Sequence, residues 1–156
     1  SGVSTPSPLP GFPLLIDSRT FDLSQRWKSP QLSAAWMEGN SVQEPSAGLS
    51  TKTLQLTRSD GDLAIESKIW LDFDLGSDVK NWDSRTGYSE GFHDVLILGN
   101  SVTFQPGEAT ALFELPIVAG SHAESNEWLD VTVLPQYPDH YSAVPDEALR
   151  LTIIDA

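Results

Sequence analysis

Carboxylates are the most abundant chemically active side chains of this sequence, and they suit the binding of a hard cation. The chain has 22 Asp and Glu residues against nine Lys and Arg residues, which gives a formal net charge of -13. Ca²⁺ takes about six to eight oxygen ligands, so several carboxylates must converge to hold it. Exposed carboxylates also serve as an ordinary solvated surface, and their positions in the fold decide between the two interpretations.

Catalytic chemistry is not indicated by the remaining polar residues. The three histidines stand at positions 93, 122 and 140, without the spacing of metal ligands. His93 and Asp94 are adjacent, but neighbours on a strand point to opposite faces. The sequence has no nucleophile elbow, phosphate-binding loop or dinucleotide motif. We therefore predict that the protein is not an enzyme.

Composition excludes several classes of partner and cofactor. The acidic balance argues against nucleic acid, because phosphate binding needs clustered cations. No apolar run approaches the roughly 20 residues of a membrane-spanning helix, and no signal peptide is present, so we expect no membrane insertion. Cysteine is absent, which rules out disulfides and thiolate metal sites.

Aromatic residues in two long loops offer a second kind of chemistry. Trp82 and Tyr88 lie in the loop of residues 76–92, and Tyr137 and Tyr141 lie in the loop of residues 135–147. Exposed aromatic rings can stack on a glycan or anchor a protein partner. The alternative is that these rings fold back and cover the ends of the domain.

The elements that must position these residues are strands. Apolar and polar residues alternate over residues 52–57 and 69–75, and the second stretch has Trp70, Asp72 and Asp74 on one face. Short alternating segments also end in the Asp60-Gly61 and Pro106-Gly107 turns. This pattern predicts an all-β sandwich or barrel. Residues 1–13 read as a linker, and residues 14–32 as an extension that could add a strand.

Antiparallel connectivity makes the positions of the loops predictable. Each strand reverses the chain direction, so the segments around residues 119–126 and the end of the last strand fall at one pole of the sandwich. Asp94, Glu124, Glu127 and Asp155 could converge there. The loop of residues 135–147 should lie at the opposite pole, which would separate a partner site from an ion site.

An ordered set of motifs resembles the Calx-beta family over about residues 33–155. The set comprises a strand that ends in Phe104 before Pro-Gly-Glu, a strand that closes on Pro116-Ile117, an acidic Glu124 to Glu127 stretch, and a final Thr-Ile-Ile-Asp ending at Asp155. Ser-Val-Gln-Glu, ending at Glu44, matches the family's opening, and Thr57-Arg58 matches the end of its first long strand.

The resemblance implies an immunoglobulin-like antiparallel β-sandwich of about seven strands, used as a Ca²⁺-binding or spacer module in surface, secreted and exchanger proteins. It adds Glu44 to the candidate ligands, giving the predicted set Glu44, Asp94, Glu124, Glu127 and Asp155. Calcium-binding members of the family usually have two aspartates where this chain has Ala119-Gly120. The resemblance therefore implies a structural or adhesive spacer, located outside the cell or at its surface and adjoining further domains of the same chain, and the missing aspartates predict a Ca²⁺ site that is weak or absent.

Overall fold

The structure, a computed structural model, describes residues 27–76, 94–119 and 126–155, and these form two packed β-sheets. The strands are β1 (Gln31–Trp36), β2 (Ser41–Gln43), β3 (Leu49–Ser59), β4 (Ser67–Leu75), β5 (Ser101–Phe104), β6 (Thr110–Val118), β7 (Glu127–Pro135) and β8 (Leu149–Ile154), with a 3₁₀ turn at Pro138–His140. One sheet has the order β1-β3-β6 and the other the order β2-β8-β7-β4-β5.

The predicted immunoglobulin-like sandwich is confirmed, with eight strands in the described residues rather than about seven. The additional strand arises because the first edge segment divides in two. β1 pairs with β3 in one sheet, and β2 crosses over to pair with β8 in the other. β2 and β8 run parallel, whereas the other strand pairs are antiparallel.

The core lies between the sheets and follows the predicted alternation. Leu54 and Leu56 on β3 face Ile69 on β4 and Leu129 on β7, and all four are 0% exposed. Trp70, Asp72 and Asp74 lie on the outer face of β4, as the sequence pattern predicts. Burial of such large aliphatic side chains contributes roughly 1.5–3 kcal/mol each.

Two cations lie on the buried face of β3, where alternation alone predicts apolar residues. Arg58 is 1% exposed and donates hydrogen bonds to four carbonyl oxygens, at distances of 2.7–3.0 Å, on Leu63, Ile65, Gln105 and Glu108. Its guanidinium also lies 4.9 Å from the ring centroid of Phe104. The side chain thus joins the segment after β3 to the β5–β6 turn.

Lys52 performs a similar role where the chain crosses between the sheets. Its Nζ donates to the carbonyl oxygens of Met37, at 2.7 Å, and Ser41, at 3.0 Å. These carbonyls flank a turn in which Glu38 and Gly39 adopt positive φ angles of 64° and 97°. Lys52 therefore holds the two ends of the crossing turn together.

The Asp60-Gly61 turn is built differently from the expected one. The positive φ, 60°, belongs to Asp60 rather than to the glycine. Position 61 requires glycine because there is no room for a side chain. A Cβ there would lie 2.5 Å from the Pro30 nitrogen and 2.6 Å from the Lys28 carbonyl oxygen. The turn is thus pressed against the chain that leads into β1.

The two ends of the sandwich carry different segments. One end, which we call the first pole, holds the starts of β3 and β7 and the ends of β6 and β8. There Leu49 pairs with Val118, and Glu127 pairs with Ile153. At the other pole, Ser142 N–H bonds to the Pro30 carbonyl, and the segment after β7 packs against the start of β1. β1 begins at Gln31, two residues before the expected domain boundary, and no helix in the described residues could cross a membrane.

Candidate metal centre

Three separate segments meet at the first pole and deliver one carboxylate each. Glu44 follows β2 and is fixed by a 2.9 Å hydrogen bond from its N–H to the Ile154 carbonyl oxygen. Asp94 accepts a 2.9 Å bond at its main-chain oxygen from Val118 N–H of β6. Glu127 is the first residue of β7 and pairs with Ile153 of β8. The strand ladders therefore set the positions of all three residues.

The three carboxylates form a buried group that we call the acidic triad. Glu44, Asp94 and Glu127 are 4%, 6% and 4% exposed, and each offers one oxygen within 4.8 Å of the others. Oxygens bound to one Ca²⁺ at about 2.4 Å can lie at most about 4.8 Å apart. The observed spread therefore fits a common central cation.

The negative charges of the acidic triad favour the binding of a divalent cation between them. Like charges at this separation repel each other, and low solvent exposure strengthens the repulsion. A cation placed between the carboxylates would turn this repulsion into attraction. Glu44 directly follows β2 and Glu127 begins β7 of the five-stranded sheet, whereas Asp94 is bonded to β6 of the three-stranded sheet, so such a cation would link the two sheets.

The donor set is consistent with a site of limited strength. Three carboxylates supply at most six oxygens, which is near the minimum for Ca²⁺. Asp155 is half-buried directly after β8 at the same pole, but it is not a member of the acidic triad. Ala119, where the family usually has an aspartate, is 2% exposed and bonds through its N–H to the Gly48 carbonyl oxygen. Glu124 lies outside the described residues.

Structural placement corrects one of the predicted ligand-binding aromatics. Tyr141 is 8% exposed, and its hydroxyl lies 2.6 Å from Ser67 Oγ, so the ring belongs to the core and is not available to a ligand. The correction has a simple cause, because main-chain bonds from Ser142 to Pro30 and from Leu32 to Ala143 hold this loop against the start of β1. Tyr137 is 57% exposed, with its ring centroid 5.1 Å from that of His140. Trp82 and Tyr88 lie outside the described residues.

The sequence reasoning did not identify Lys52 and Arg58 as buried residues. The sequence does carry a signal of this burial, because a spacing of two puts four residues on one strand face: Lys52, Leu54, Leu56 and Arg58. Glu127 gave no such signal, because an acidic loop residue is usually solvated. Its burial results from its pairing at the start of β7.

Comparison with known proteins supports the fold rather than a close relationship. No family model matches the chain, and no curated protein matches its sequence. The crystal structure of the apo-form Calx CBD1 domain superposes with a TM-score of 0.54 at 13% identity, covering 81% of this chain and 98% of that domain.

Two larger Calx structures give similar values. CBD12 from CALX1.2 has a TM-score of 0.55 at 13% identity, covering 78% of this chain and 44% of the other. The calcium binding domain CBD12 of CALX1.1 has a TM-score of 0.51 at 14% identity, covering 79% and 45%. The chain thus spans less than half of either CBD12 structure. The predicted resemblance to Calx-beta domains is confirmed as a likeness of fold.

Proposed function

We propose that this domain is a non-catalytic β-sandwich module that binds Ca²⁺ through Glu44, Asp94 and Glu127. The observation that carries the proposal is the convergence of three buried carboxylate oxygens within 4.8 Å. One of the structures with this fold is a calcium binding domain, which supports the same assignment.

The proposed role of the ion is to stiffen the pole from which the chain leaves the domain. Asp155 follows β8 directly beside the Glu44 main chain, since Glu44 N–H bonds to the Ile154 carbonyl oxygen. A cation linking both sheets there would hold the exit of the chain rigid relative to the sandwich. We propose that the module spaces neighbouring domains of a surface or secreted protein, and that Ca²⁺ sets the rigidity of this junction.

Thermal melting of the full chain with CaCl₂ and with chelator tests the ion site. Ca²⁺ at about ten times its Kd would stabilise the folded state by about 1.4 kcal/mol, which corresponds to an increase in Tm of about 3–5 °C for a domain of this size. MgCl₂ at the same concentration should have a smaller effect, because Mg²⁺ needs octahedral geometry and gives up its waters reluctantly. A Tm that does not respond to millimolar Ca²⁺ would remove the ion from the proposal.

Isosteric variants assign any Ca²⁺ response to the acidic triad. Glu127→Gln and Asp94→Asn should abolish the Ca²⁺-dependent increase in Tm, because each removes a charged ligand and preserves the side-chain shape. Asp72→Asn and Asp74→Asn, on the exposed outer face of β4, are matched controls that should retain the full response. Equal loss in the control variants would show that Ca²⁺ acts through general charge screening.

A second candidate function is glycan or protein binding through Tyr137. The observation that favours it is a cluster at the opposite pole, in which the His140 ring lies 5.1 Å from Tyr137 and 6.5 Å from Trp27. An exposed ring backed by two other rings can stack on a sugar or anchor a partner. Binding on a glycan array that persists unchanged in Tyr137→Ala would exclude this surface.

A further inference from the structure

A groove lies along the open seam between the two sheets, and its lining includes none of the residues of the two sites described above. Its volume is about 440 Å³, and it is bounded by the end of β1, the crossing turn and the segment of residues 145–150. Trp36, Pro145 and Leu149 give it an apolar lining. Asp146 and Glu147 line it as well, and both are exposed.

The β8 side of the groove has an unpaired main-chain edge. β2 pairs only with Thr152, Ile153 and Ile154, so the first half of β8 has no strand neighbour on that side among the described residues. Thr152 N–H bonds to the Asn40 carbonyl oxygen, and the Ile154 carbonyl accepts from Glu44 N–H, so even-numbered residues of β8 face this edge. Arg150 is the next even-numbered residue, and its main-chain N–H and C=O therefore face the groove.

The β1 side has a similar edge. Leu32 N–H bonds to the Ala143 carbonyl oxygen and Met37 N–H bonds to Thr53 of β3, so even-numbered residues of β1 face away from β3. The main-chain groups of Ala34 and Trp36 consequently face the seam. Sheet edges with unpaired donors and acceptors pair readily with another extended chain.

The Trp36 side chain in this wall carries a buried polar group. The residue is 6% exposed, and its indole Nε1 is buried with no acceptor in the described part of the chain. Buried donors are usually hydrogen-bonded, so this unpaired N–H makes the indole a sensitive reporter of changes at the groove wall.

Charge indicates which kind of extended chain would bind. Asp130 accepts hydrogen bonds from the Arg150 guanidinium at 2.9 and 3.1 Å, so this cation is neutralised across the outer face of the sheet. Asp146 and Glu147 form no ion pair with the described residues, and they leave the groove negative. A basic peptide complements such a surface.

We propose that this groove binds an extended, basic segment of a partner protein by strand addition. The segment continues the line of β2 beside Arg150, places apolar side chains toward Trp36 and Leu149, and directs Lys or Arg side chains toward Asp146 and Glu147. Main-chain hydrogen bonds supply affinity in this mode of recognition, and the alternate side chains supply specificity.

NMR of the ¹⁵N-labelled full chain tests the proposal with a capped hexapeptide of alternating valine and lysine. We expect hydrogen exchange at the Ala34 and Arg150 amides to slow by about tenfold in the presence of the peptide, because both become paired. The Trp36 indole resonance should also shift, because the peptide would pack against the groove wall that this residue forms. A peptide of alternating valine and glutamate, and a valine–lysine peptide N-methylated on alternate residues, should have neither effect.

Charge-reversed variants give matched controls. Asp146→Lys combined with Glu147→Lys should weaken peptide binding by about tenfold, whereas Asp72→Lys combined with Asp74→Lys changes the net charge equally and should leave it unchanged. Equal weakening in both variants, or binding of the N-methylated peptide, would overturn the proposal. Contacts between residues 1–26 and Trp36 in the absence of peptide would also overturn it, because the occupant would then be this chain itself. Amide protection that rises with protein concentration would do the same, because the occupant would then be a second copy.

Discussion

At the scale of single residues, buried polar groups determine where this sandwich departs from a simple apolar core. Arg58 and Lys52 lie on the inner face of β3, and each donates hydrogen bonds to carbonyl oxygens in or beside turns. Buried main-chain carbonyls are costly when unpaired, by about 1–3 kcal/mol each. These two cations therefore stabilise turns that apolar residues could not.

Arg58→Lys should destabilise the domain by about 2–3 kcal/mol, since an ammonium cannot reach four carbonyls in the fixed fork geometry of a guanidinium. Urea denaturation measures the change. Arg150→Lys, on the exposed outer face, is the control and should leave the unfolding midpoint nearly unchanged. Similar midpoints for the two variants would mean that the Arg58 hydrogen bonds add little to stability.

Tyr141 and Ser67 offer a test of a single buried hydrogen bond. Their hydroxyls are 2.6 Å apart, and both residues are buried. Tyr141→Phe should cost about 1 kcal/mol, and a double-mutant cycle with Ser67→Ala should give a coupling energy of about 0.5–1.5 kcal/mol. A coupling near zero, obtained from urea unfolding of the four proteins, would show that the two hydroxyls act independently.

At the scale of elements, strand alternation was predictable and the contacts of the turns were not. Ile69, Leu71 and the outward Trp70 follow directly from a period of two. The Asp60-Gly61 pair indicates a turn, but nothing in the sequence shows that Pro30, 31 positions away, presses against the glycine. Division of the first edge segment into β1 and β2 likewise depends on contacts between distant residues.

Gly61→Ala should destabilise the domain by about 1–3 kcal/mol, because the added methyl group would meet main-chain atoms that have little freedom to move. Gly99→Ala is the matched control, since a Cβ there has no heavy atom within 4 Å. Its unfolding free energy should change by less than about 0.5 kcal/mol. Thermal melting of both variants gives the comparison, and equal Tm values would contradict the close approach at Gly61.

Connectivity also explains how much of the candidate site could be predicted. Because antiparallel strands reverse the chain direction, the sequence predicts that Asp94 and Glu127 lie at one pole. The resemblance to Calx-beta domains added Glu44 to this predicted set of ligands. Their approach to within 4.8 Å and their burial depend on side-chain packing, which strand order alone does not determine. The prediction that Tyr141 binds a ligand failed for the same reason, because the sequence of an aromatic loop gives no sign of its hydrogen bond to the Ser67 hydroxyl.

At the scale of the whole molecule, the strand arrangement places the first and last described segments at opposite ends. The chain enters beside Pro30 and leaves beyond Ile154, at the pole of the acidic triad. A peptide groove along the seam between the sheets and a cation site at the exit pole would therefore operate without obstructing each other. The proposed spacer role and the proposed docking surface therefore use different parts of the sandwich.

Parallel pairing of β2 with β8 has a mechanical consequence. When tension pulls the two ends of the domain apart, adjacent parallel strands slide past one another, and their hydrogen bonds bear the load together instead of opening one at a time. In single-molecule stretching, Val42→Pro should lower the rupture force, because its N–H faces β8 in the register set by Glu44. Gln43→Pro, whose N–H points away from β8, should lower it less, and the reverse order would contradict this shear geometry.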